Sequence, residues 1–307
     1  MIKVENLTKR YGATTAVSGI SFEVPKGEVV GFLGPNGAGK TTTMRIITGS
    51  LGATEGRVTL DGQDVFEHPA ETKRRIGYLP EVPPLYTDMR VRDYVRFAGK
   101  LKGVDDPKAA AEKVIDRVGL RPVAHRIIDH LSKGYRQRCG VAQALVHDPD
   151  VLILDEPYSG LDPAQRLEIR ELLQELAQEE RTVILSTHVL ADIEAMCERV
   201  VIINQGQMVG QGPIDELSSV LGARSIMLTV ARPQGLQDTL MAVQGVVSVE
   251  PQGGQFRVIT EGEDLREQIA AAAITHGLLE LSGRQSLEDI FLHLTRTQTA
   301  PDSGAEA

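Results

Sequence analysis

The chain has 307 residues, which is long enough for one large domain and a smaller one. Its formal net charge of −9 argues against a nucleic-acid-binding surface, and its two cysteines, Cys139 and Cys197, make neither a disulfide framework nor a zinc site. No run of about 18 apolar residues occurs, and residues 1–5 do not begin an apolar leader. We therefore expect a cytoplasmic protein with no nucleic-acid partner, and if it works on a membrane we expect it to do so through a partner chain.

The first elements predict a small antiparallel β-subdomain. Residues 2–8 and Thr14–Val24 have strand-like patterns, and Pro25–Glu28 forms a turn. Tyr11 lies between the two strands. Its ring could stack on a nucleotide base, since every base presents a π-face, or it could be a half-buried aromatic at a strand end. The residue alone leaves both interpretations open.

Residues 34–42, with the sequence GPNGAGKTT, match the phosphate-binding pattern G-x-x-x-x-G-K-[ST]. The alternative is a glycine-rich turn with a chance lysine. The context favours the binding loop, because an apolar strand, Glu28–Leu33, precedes it and a predicted helix, Thr41–Thr48, follows it. Strand, loop and helix together predict a nucleotide site of the P-loop NTPase type.

The residue types of this loop suit phosphate chemistry. Glycines let the backbone turn tightly and bring its N–H groups against phosphate oxygens, and the following helix adds the positive end of its dipole. Lys40 is expected to reach the β- and γ-phosphates of ATP, and the Thr41 hydroxyl is expected to hold Mg²⁺. The predicted nucleotide-binding residues of the loop are Gly34, Pro35, Asn36, Gly37, Ala38, Gly39, Lys40, Thr41 and Thr42.

The middle of the chain predicts a helical insertion at about residues 82–146. Helical periodicity is interrupted by Gly103 and Gly119, which act as stops, and Ser132 is a plausible N-cap for the last helix. The predicted elements are strand 57–60, helix 69–74, strand 75–79, an extended proline-rich loop at 80–84, and helices Val91–Leu101, Pro107–Val118 and Lys133–Val146.

Two buried strands predict a catalytic edge. Val151–Leu154 is wholly apolar, as in the middle of a parallel sheet, and it ends at Asp155 and Glu156. Asp155 is expected to orient Mg²⁺, and Glu156 is expected to polarise the attacking water as the general base. The next strand, Thr182–Ser186, leads to His188, which could bond the γ-phosphate and hold Glu156 in place. Taken alone, the two acids could be a solvated strand end and the histidine could be merely structural.

The composition changes near residue 222, and a second domain follows. From residue 225 the order is strand, helix, strand, strand, helix, strand, helix, and the first six match a ferredoxin-like βαββαβ pattern. The last helix is predicted at Leu287–Thr295. We therefore predict a nucleotide-binding domain at 1–222, an α+β accessory domain at 223–296 and a disordered tail at 297–307.

A set of ordered motifs resembles those of ABC-type ATPases. Residues 131–138 (LSKGYRQR) resemble the family's signature motif, and the phosphate loop precedes them. Leu154–Pro157, Ser159–Asp162 and His188 follow in the family's order. The resemblance covers about residues 2–220. It implies an α/β fold with a mixed sheet, a β-subdomain and a helical insertion, to which this chain adds the ferredoxin-like domain. Tyr11 matches the family's adenine-stacking aromatic.

The resemblance also implies how the chain works. Two copies meet head to tail around two ATP molecules, so that the phosphate loop of one faces the signature motif of the other, and Ser159–Asp162 couples the two sites. A helix N-terminus at Ser132 would offer donors and a dipole to the γ-phosphate. The residues implied to contact ATP in this way are Ser132, Lys133, Gly134 and Gln137.

The sequence departs from the family pattern at three positions. Glu81 stands where Gln is usual; its oxygen can still reach Mg²⁺ or the water, but it adds negative charge to the metal site. Lys133 stands where Gly is common and Tyr158 where Thr is common, and neither exchange has an evident reason in the sequence.

Residues 76–81, 132–138 and 286–291 look like those of the exporter class whose ATPase and permease are separate chains, within the gliding-motility-associated and multidrug-type subunits. This implies an ATP-hydrolysing subunit on the inner face of the cell membrane, either a homodimer or paired with a close paralogue. The region from Tyr86 to Tyr94 is the candidate surface for the permease.

Two other functions are weighed against this one. A soluble ABC ATPase acting on ribosomes or DNA would carry two such domains, or a very long coiled coil between Lys40 and Leu131, and the sequence has neither. A nucleotide sensor without turnover is disfavoured because both Glu156 and His188 are present.

Overall fold

The computed structural model describes residues 1–178, 181–214, 216–217, 223–261, 264–282, 287 and 291. The chain divides into two compact units, Met1–Gln211 and Gly212–Ala307. The predicted helix Leu287–Thr295, the predicted tail at 297–307 and the boundary near residue 222 lie outside the described residues, apart from positions 287 and 291.

The first unit alternates strands and helices along the chain. Its elements are β1 (Ile2–Tyr11), β2 (Thr14–Val24), β3 (Val29–Leu33), α1 (Lys40–Ile47), β4 (Glu55–Leu60), β5 (Gln63–Asp64), α2 (Pro69–Arg75), β6 (Ile76–Leu79), α3 (Val91–Leu101), α4 (Pro107–Arg117), α5 (Lys133–Leu145), β7 (Val151–Asp155), α6 (Pro163–Ala177), β8 (Thr182–Thr187), α7 (Leu190–Met196), β9 (Arg199–Asn204) and β10 (Gln207–Pro213).

Two sheets form the first unit. The predicted β-subdomain is an antiparallel sheet in the order β2-β1-β4-β5. The larger sheet has the order β10-β9-β3-β8-β7-β6, and its pairs from β9 to β6 are all parallel. Apolar side chains of both sheets and of α1 share one core, which includes Val4, Phe32, Met44 and Ile153. These observations confirm the predicted α/β fold class.

The register of the parallel sheet brings the motifs to one edge. Leu33, which ends β3, pairs with Thr187, and Asp155 pairs with Ser186. Leu79, which ends β6, pairs with Leu154. Because parallel strands all point the same way, the phosphate loop, Asp155, Glu156 and His188 leave the sheet at its carboxyl edge.

The helical insertion contains α3, α4 and α5, and two short 3₁₀ helices that the sequence pattern did not predict, Arg121–Val123 and Ile128–His130. The predicted permease surface from Tyr86 to Tyr94 is wrong at Tyr94. Its side chain is only 3% exposed and its hydroxyl donates to Gln143, so it belongs to the interior, whereas Tyr86 is 55% exposed. The Tyr86 ring packs edge-on against the rings of Tyr94 and Phe97.

The second unit contains β11 (Ala223–Val230), α8 (Leu236–Met241), β12 (Val246–Gln252), β13 (Gln255–Glu261), α9 (Arg266–Ile274) and β14 (Leu278–Ser282). The sheet order is β12-β13-β11-β14, and all three pairs are antiparallel. Leu228, Leu240 and Ile269 belong to its separate apolar core. The element order and the sheet order are those of the predicted ferredoxin-like arrangement.

Candidate nucleotide site

The phosphate loop connects β3 to α1 and presents backbone donors. Gly39, the residue before α1, has φ 104° and ψ 4°, and a Cβ there would lie 2.5 Å from the carbonyl oxygen of Ala16. Only glycine tolerates both constraints. No side chain caps the first turn of α1, so its N–H groups stay available to an anion, as a helix N-terminus favours.

Lys40 is held inside its own loop. Its ammonium donates to the carbonyl oxygens of Gly34 at 2.8 Å and Pro35 at 3.2 Å, and it lies 3.5 Å from Glu156 Oε1. The Lys40 side chain is only 6% exposed. A buried, carbonyl-bound ammonium is a preformed cation at the place where the sequence predicts the phosphates.

Asp155 has the properties of a metal-binding carboxylate. Its Oδ1 accepts a hydrogen bond from the Ser186 hydroxyl, whereas its Oδ2 is buried and has no partner. Burial raises the pKa of this carboxyl, and the hydroxyls of Ser186 and Thr41 partly offset that effect. An orphaned buried oxygen beside a threonine hydroxyl fits a hard cation such as Mg²⁺, which prefers oxygen ligands.

The described residues include no group of three or more His, Cys, Asp or Glu side chains that could hold a metal ion. Thr41 and Asp155 alone would therefore leave most of the coordination sphere of Mg²⁺ to phosphate and water oxygens, as is usual for this ion.

Glu156 and His188 form a second contact at the same edge. His188 Nδ1 lies 2.9 Å from Oε1 and 3.0 Å from Oε2 of the carboxylate. Because carboxylate oxygens only accept, Nδ1 must carry the proton, and the neutral ring then has an acceptor at Nε2. Only the imidazolium could donate to Glu156 and to a phosphate oxygen together.

Glu156 has an uncommon backbone conformation. Its φ of 49° is in the left-handed region, and its N–H donates to the carbonyl oxygen of Ser186 at 3.0 Å. A non-glycine residue with positive φ costs free energy and is frequent at functional sites. The conformation keeps a carboxylate that is 7% exposed at the strand end next to Lys40 and His188.

The signature residues begin α5. The Ser132 hydroxyl accepts from the N–H of Tyr135, as an N-cap does, and the Gln137 side chain donates to the carbonyl oxygen of Pro157 at 3.0 Å. Within one chain, Gln137 therefore ties the signature helix to the segment that follows Glu156.

Lys133 has a structural explanation that the sequence did not offer. Its side chain lies over Gly160, where a Cβ would be 1.7 Å from the Lys133 ammonium, and Gly160 has φ 65°. The lysine thus fills the space beside the loop Ser159–Asp162. Tyr158 is also explained: its ring is buried and its hydroxyl contacts Met196 Sδ at 2.7 Å, so it packs the loop against α7.

Two predicted site residues are exposed. Tyr11 is 48% exposed, with the Lys9 ammonium 5.2 Å from its ring centroid. Glu81 is exposed two residues after β6, at the same sheet edge as Asp155. The structure brings Lys40, Thr41, Asp155, Glu156 and His188 together.

Two contacts of this edge were not anticipated. Ser186 bonds Asp155, and the register of neighbouring strands was the only signal that could have indicated it. Asp192, which is fully buried on α7, pairs with Arg170 on α6 at 2.5 Å. An aspartate in the first turn of a helix is usually exposed, so no sequence pattern indicates the burial of Asp192.

None of the helices in the described parts of the chain is sufficiently long and apolar to cross a membrane. A family model described as ABC transporter matches residues 17–159.

The chain is similar over almost its whole length to curated proteins. It is 35% identical to the linearmycin resistance ATP-binding protein LnrL of Bacillus subtilis, across 96% of this chain and 98% of that one. It is 33% identical to the Nod factor export ATP-binding protein I of Burkholderia lata, across 96% of each chain. The dimeric structure of a bacterial ABC transporter cassette, MJ0796, superposes with a TM-score of 0.64 at 26% identity, across 69% of this chain and 98% of that one.

Proposed function

The chain belongs to the family of ABC transporter ATP-binding proteins and is an ATPase, and we propose that it is the ATP-hydrolysing subunit of an exporter whose permease is a separate chain. The observation that carries this proposal is the grouping of Lys40, Asp155, Glu156 and His188 at one sheet edge. Two copies, or one copy and a close paralogue, would enclose ATP between the phosphate loop of one and Ser132–Gly134 of the other.

The residues of the site have separate tasks in this proposal. Lys40 and the first N–H groups of α1 bind the β- and γ-phosphates, and Tyr11 stacks on the adenine. Glu156 accepts a proton from the attacking water, while the Nδ1–H of His188 keeps the carboxylate oriented. Thr41 and Asp155 would hold Mg²⁺, with Glu81 nearby; the ion, when bound, neutralises charge that develops on the phosphate oxygens.

The exporter assignment is supported by the names of similar proteins. One full-length relative is named for Nod factor export and another for linearmycin resistance, which favours the multidrug type over a role in gliding motility. Tyr86 and the loop around Glu81 are the proposed contact with the permease, and this contact would place the chain on the inner face of the membrane. The acidic net charge disfavours the alternative of an ATPase acting on ribosomes or DNA.

A mixing experiment tests the shared site. Lys40→Ala removes the phosphate-loop lysine, and Ser132→Arg obstructs the signature helix. Each variant alone should be inactive, but an equal mixture should regain ATPase activity, because mixed dimers contain one intact site. If each site were built within one chain, mixing would restore nothing.

A control separates a folding defect from loss of the site. The free energy of unfolding of each variant, measured by urea titration, should lie within about 1 kcal/mol of the wild-type value. Loss of the Ser132 N-cap costs about that much. A mixture that stays inactive with both variants folded would contradict the proposed head-to-tail pair.

A further inference from the structure

The first unit has a cavity of about 390 Å³ that the nucleotide site does not use. It lies where α3 and α5 end and where β6, β7 and β8 begin, so it opens at the amino edge of the sheet, opposite to the phosphate loop. Its volume is within the range of small-ligand sites, about 300–1,000 Å³.

The lining is strongly cationic although the whole chain carries a net charge of −9. Only Asp105 and Asp148 supply negative charge among the lining residues, and Asp148 pairs with Arg181. His147 adds no charge at neutral pH, because burial lowers its pKa to about 4. The cationic side chains of the lining are Arg74, Lys102, Lys113, Arg117 and Arg181.

Three of these cations lack a carboxylate partner. Among the residues that the structure describes, Arg74 and Lys113 form neither a hydrogen bond nor a close ion pair, although Lys113 lies near enough to Asp148 to help lower the pKa of that carboxyl. The Lys102 ammonium donates to the carbonyl oxygens of Lys73 at 2.7 Å and Ile76 at 3.0 Å, which leaves one N–H unused. Burial lowers the pKa of Lys102 to about 8, as expected for an ammonium without a counterion.

Arg74 on α2 and Lys113 on α4 thus line one cavity, and Lys102, which follows α3, lines this cavity and a neighbouring one. A phosphate group has three acceptor oxygens and a charge of about −1.5 to −2, so it suits a group of several cations better than a carboxylate, which carries a single charge. Val104, Val114 and Val146 supply an apolar wall against which the organic part of a ligand could pack. We propose that this basic cavity binds a small phosphate-bearing anion, either a soluble organic phosphate or the headgroup of an anionic lipid.

Calorimetric titration with inorganic pyrophosphate tests the site in the full chain. The titration uses the Lys40→Ala background, so that the phosphate loop does not compete for the probe. We expect saturable binding that weakens about tenfold with Arg74→Ala and with Lys113→Ala, which corresponds to 1.4 kcal/mol for each change. Lys108→Ala is the matched control, because Lys108 is exposed on the same helix as Lys113 but does not line the cavity.

A second arm identifies the source of the phosphate. Vesicles of phosphatidylcholine with phosphatidic acid replace pyrophosphate in a flotation assay with the same variants. If Arg74→Ala and Lys113→Ala weaken binding to vesicles but not to pyrophosphate, the ligand is a lipid headgroup. If the two substitutions weaken binding of pyrophosphate, the ligand is a soluble phosphate. The proposal is wrong if neither probe binds, or if neither Arg74→Ala nor Lys113→Ala weakens the binding. Both variants change exposed side chains, so the fold should survive.

Discussion

Glu156→Gln is the substitution that most directly tests the chemistry of the site. The Gln amide keeps the size of the side chain and one acceptor for His188 Nδ1, but it cannot take a proton from water. General-base catalysis contributes about 10²- to 10⁴-fold, so kcat should fall at least about a hundredfold, or about 2.7 kcal/mol of barrier. The carboxylate is 7% exposed, so bulk solvent cannot supply a substitute base freely.

ATP affinity should survive this change. Lys40 is positioned by the carbonyl oxygens of Gly34 and Pro35, and these contacts do not involve Glu156. Removing the carboxylate also removes a negative charge 3.5 Å from the lysine, which favours the approach of phosphate. We therefore expect the variant to bind ATP and to accumulate as a dimer.

Steady-state ATPase assays and size-exclusion chromatography with ATP measure the two effects. Glu171→Gln is the matched control, since it makes the same chemical change at an exposed position of α6 and should leave kcat unchanged. Turnover near the wild-type rate in Glu156→Gln would refute the assignment of the general base.

Three further changes test other parts of the account. Lys40→Ala should lose ATP affinity in equilibrium binding, and unchanged binding would contradict the phosphate-loop assignment. Deletion of residues 225–307 should leave ATP binding intact, and its loss would show that the second unit takes part in the site. Burial lowers the pKa of His147 to about 4 in the folded chain, below its unfolded value, so protons bind the unfolded chain more readily and the free energy of unfolding falls as the pH falls from 7 to 5. His147→Gln removes this titration, so the variant should lose about 2 kcal/mol less over the same pH range. Urea titrations at both pH values measure this, and His125→Gln, the same exchange at an exposed position, is the matched control.

The sequence predicted most of the elements because their signals are local. Val91–Leu101 has a clear helical period followed by a glycine stop, and the structure gives the same bounds. Val151–Leu154 is apolar throughout, and the strand observed there, Val151–Asp155, is buried throughout. The order of the motifs then predicted which residues meet at the carboxyl edge, since parallel strands align their ends.

The missed features depend on packing between distant segments. The short strand Gln63–Asp64 and the 3₁₀ helix Ile128–His130 are too brief to show a period. Tyr94 looks like a surface aromatic until α5 places Gln143 against its hydroxyl. The presence of lysine at position 133 is explained only by the folded structure, in which its side chain lies over Gly160. Such contacts are set by the tertiary fold, and a single sequence does not encode them as a pattern.

The central claim is that this ATPase drives a membrane permease in another chain. Affinity purification from gently solubilised membranes, followed by mass spectrometry, tests it most directly. We predict that a multi-spanning membrane protein co-purifies with the chain, and that Tyr86→Asp, a change on the exposed ring, reduces its recovery. Recovery of ribosomal or DNA-associated proteins without any membrane protein would contradict the claim.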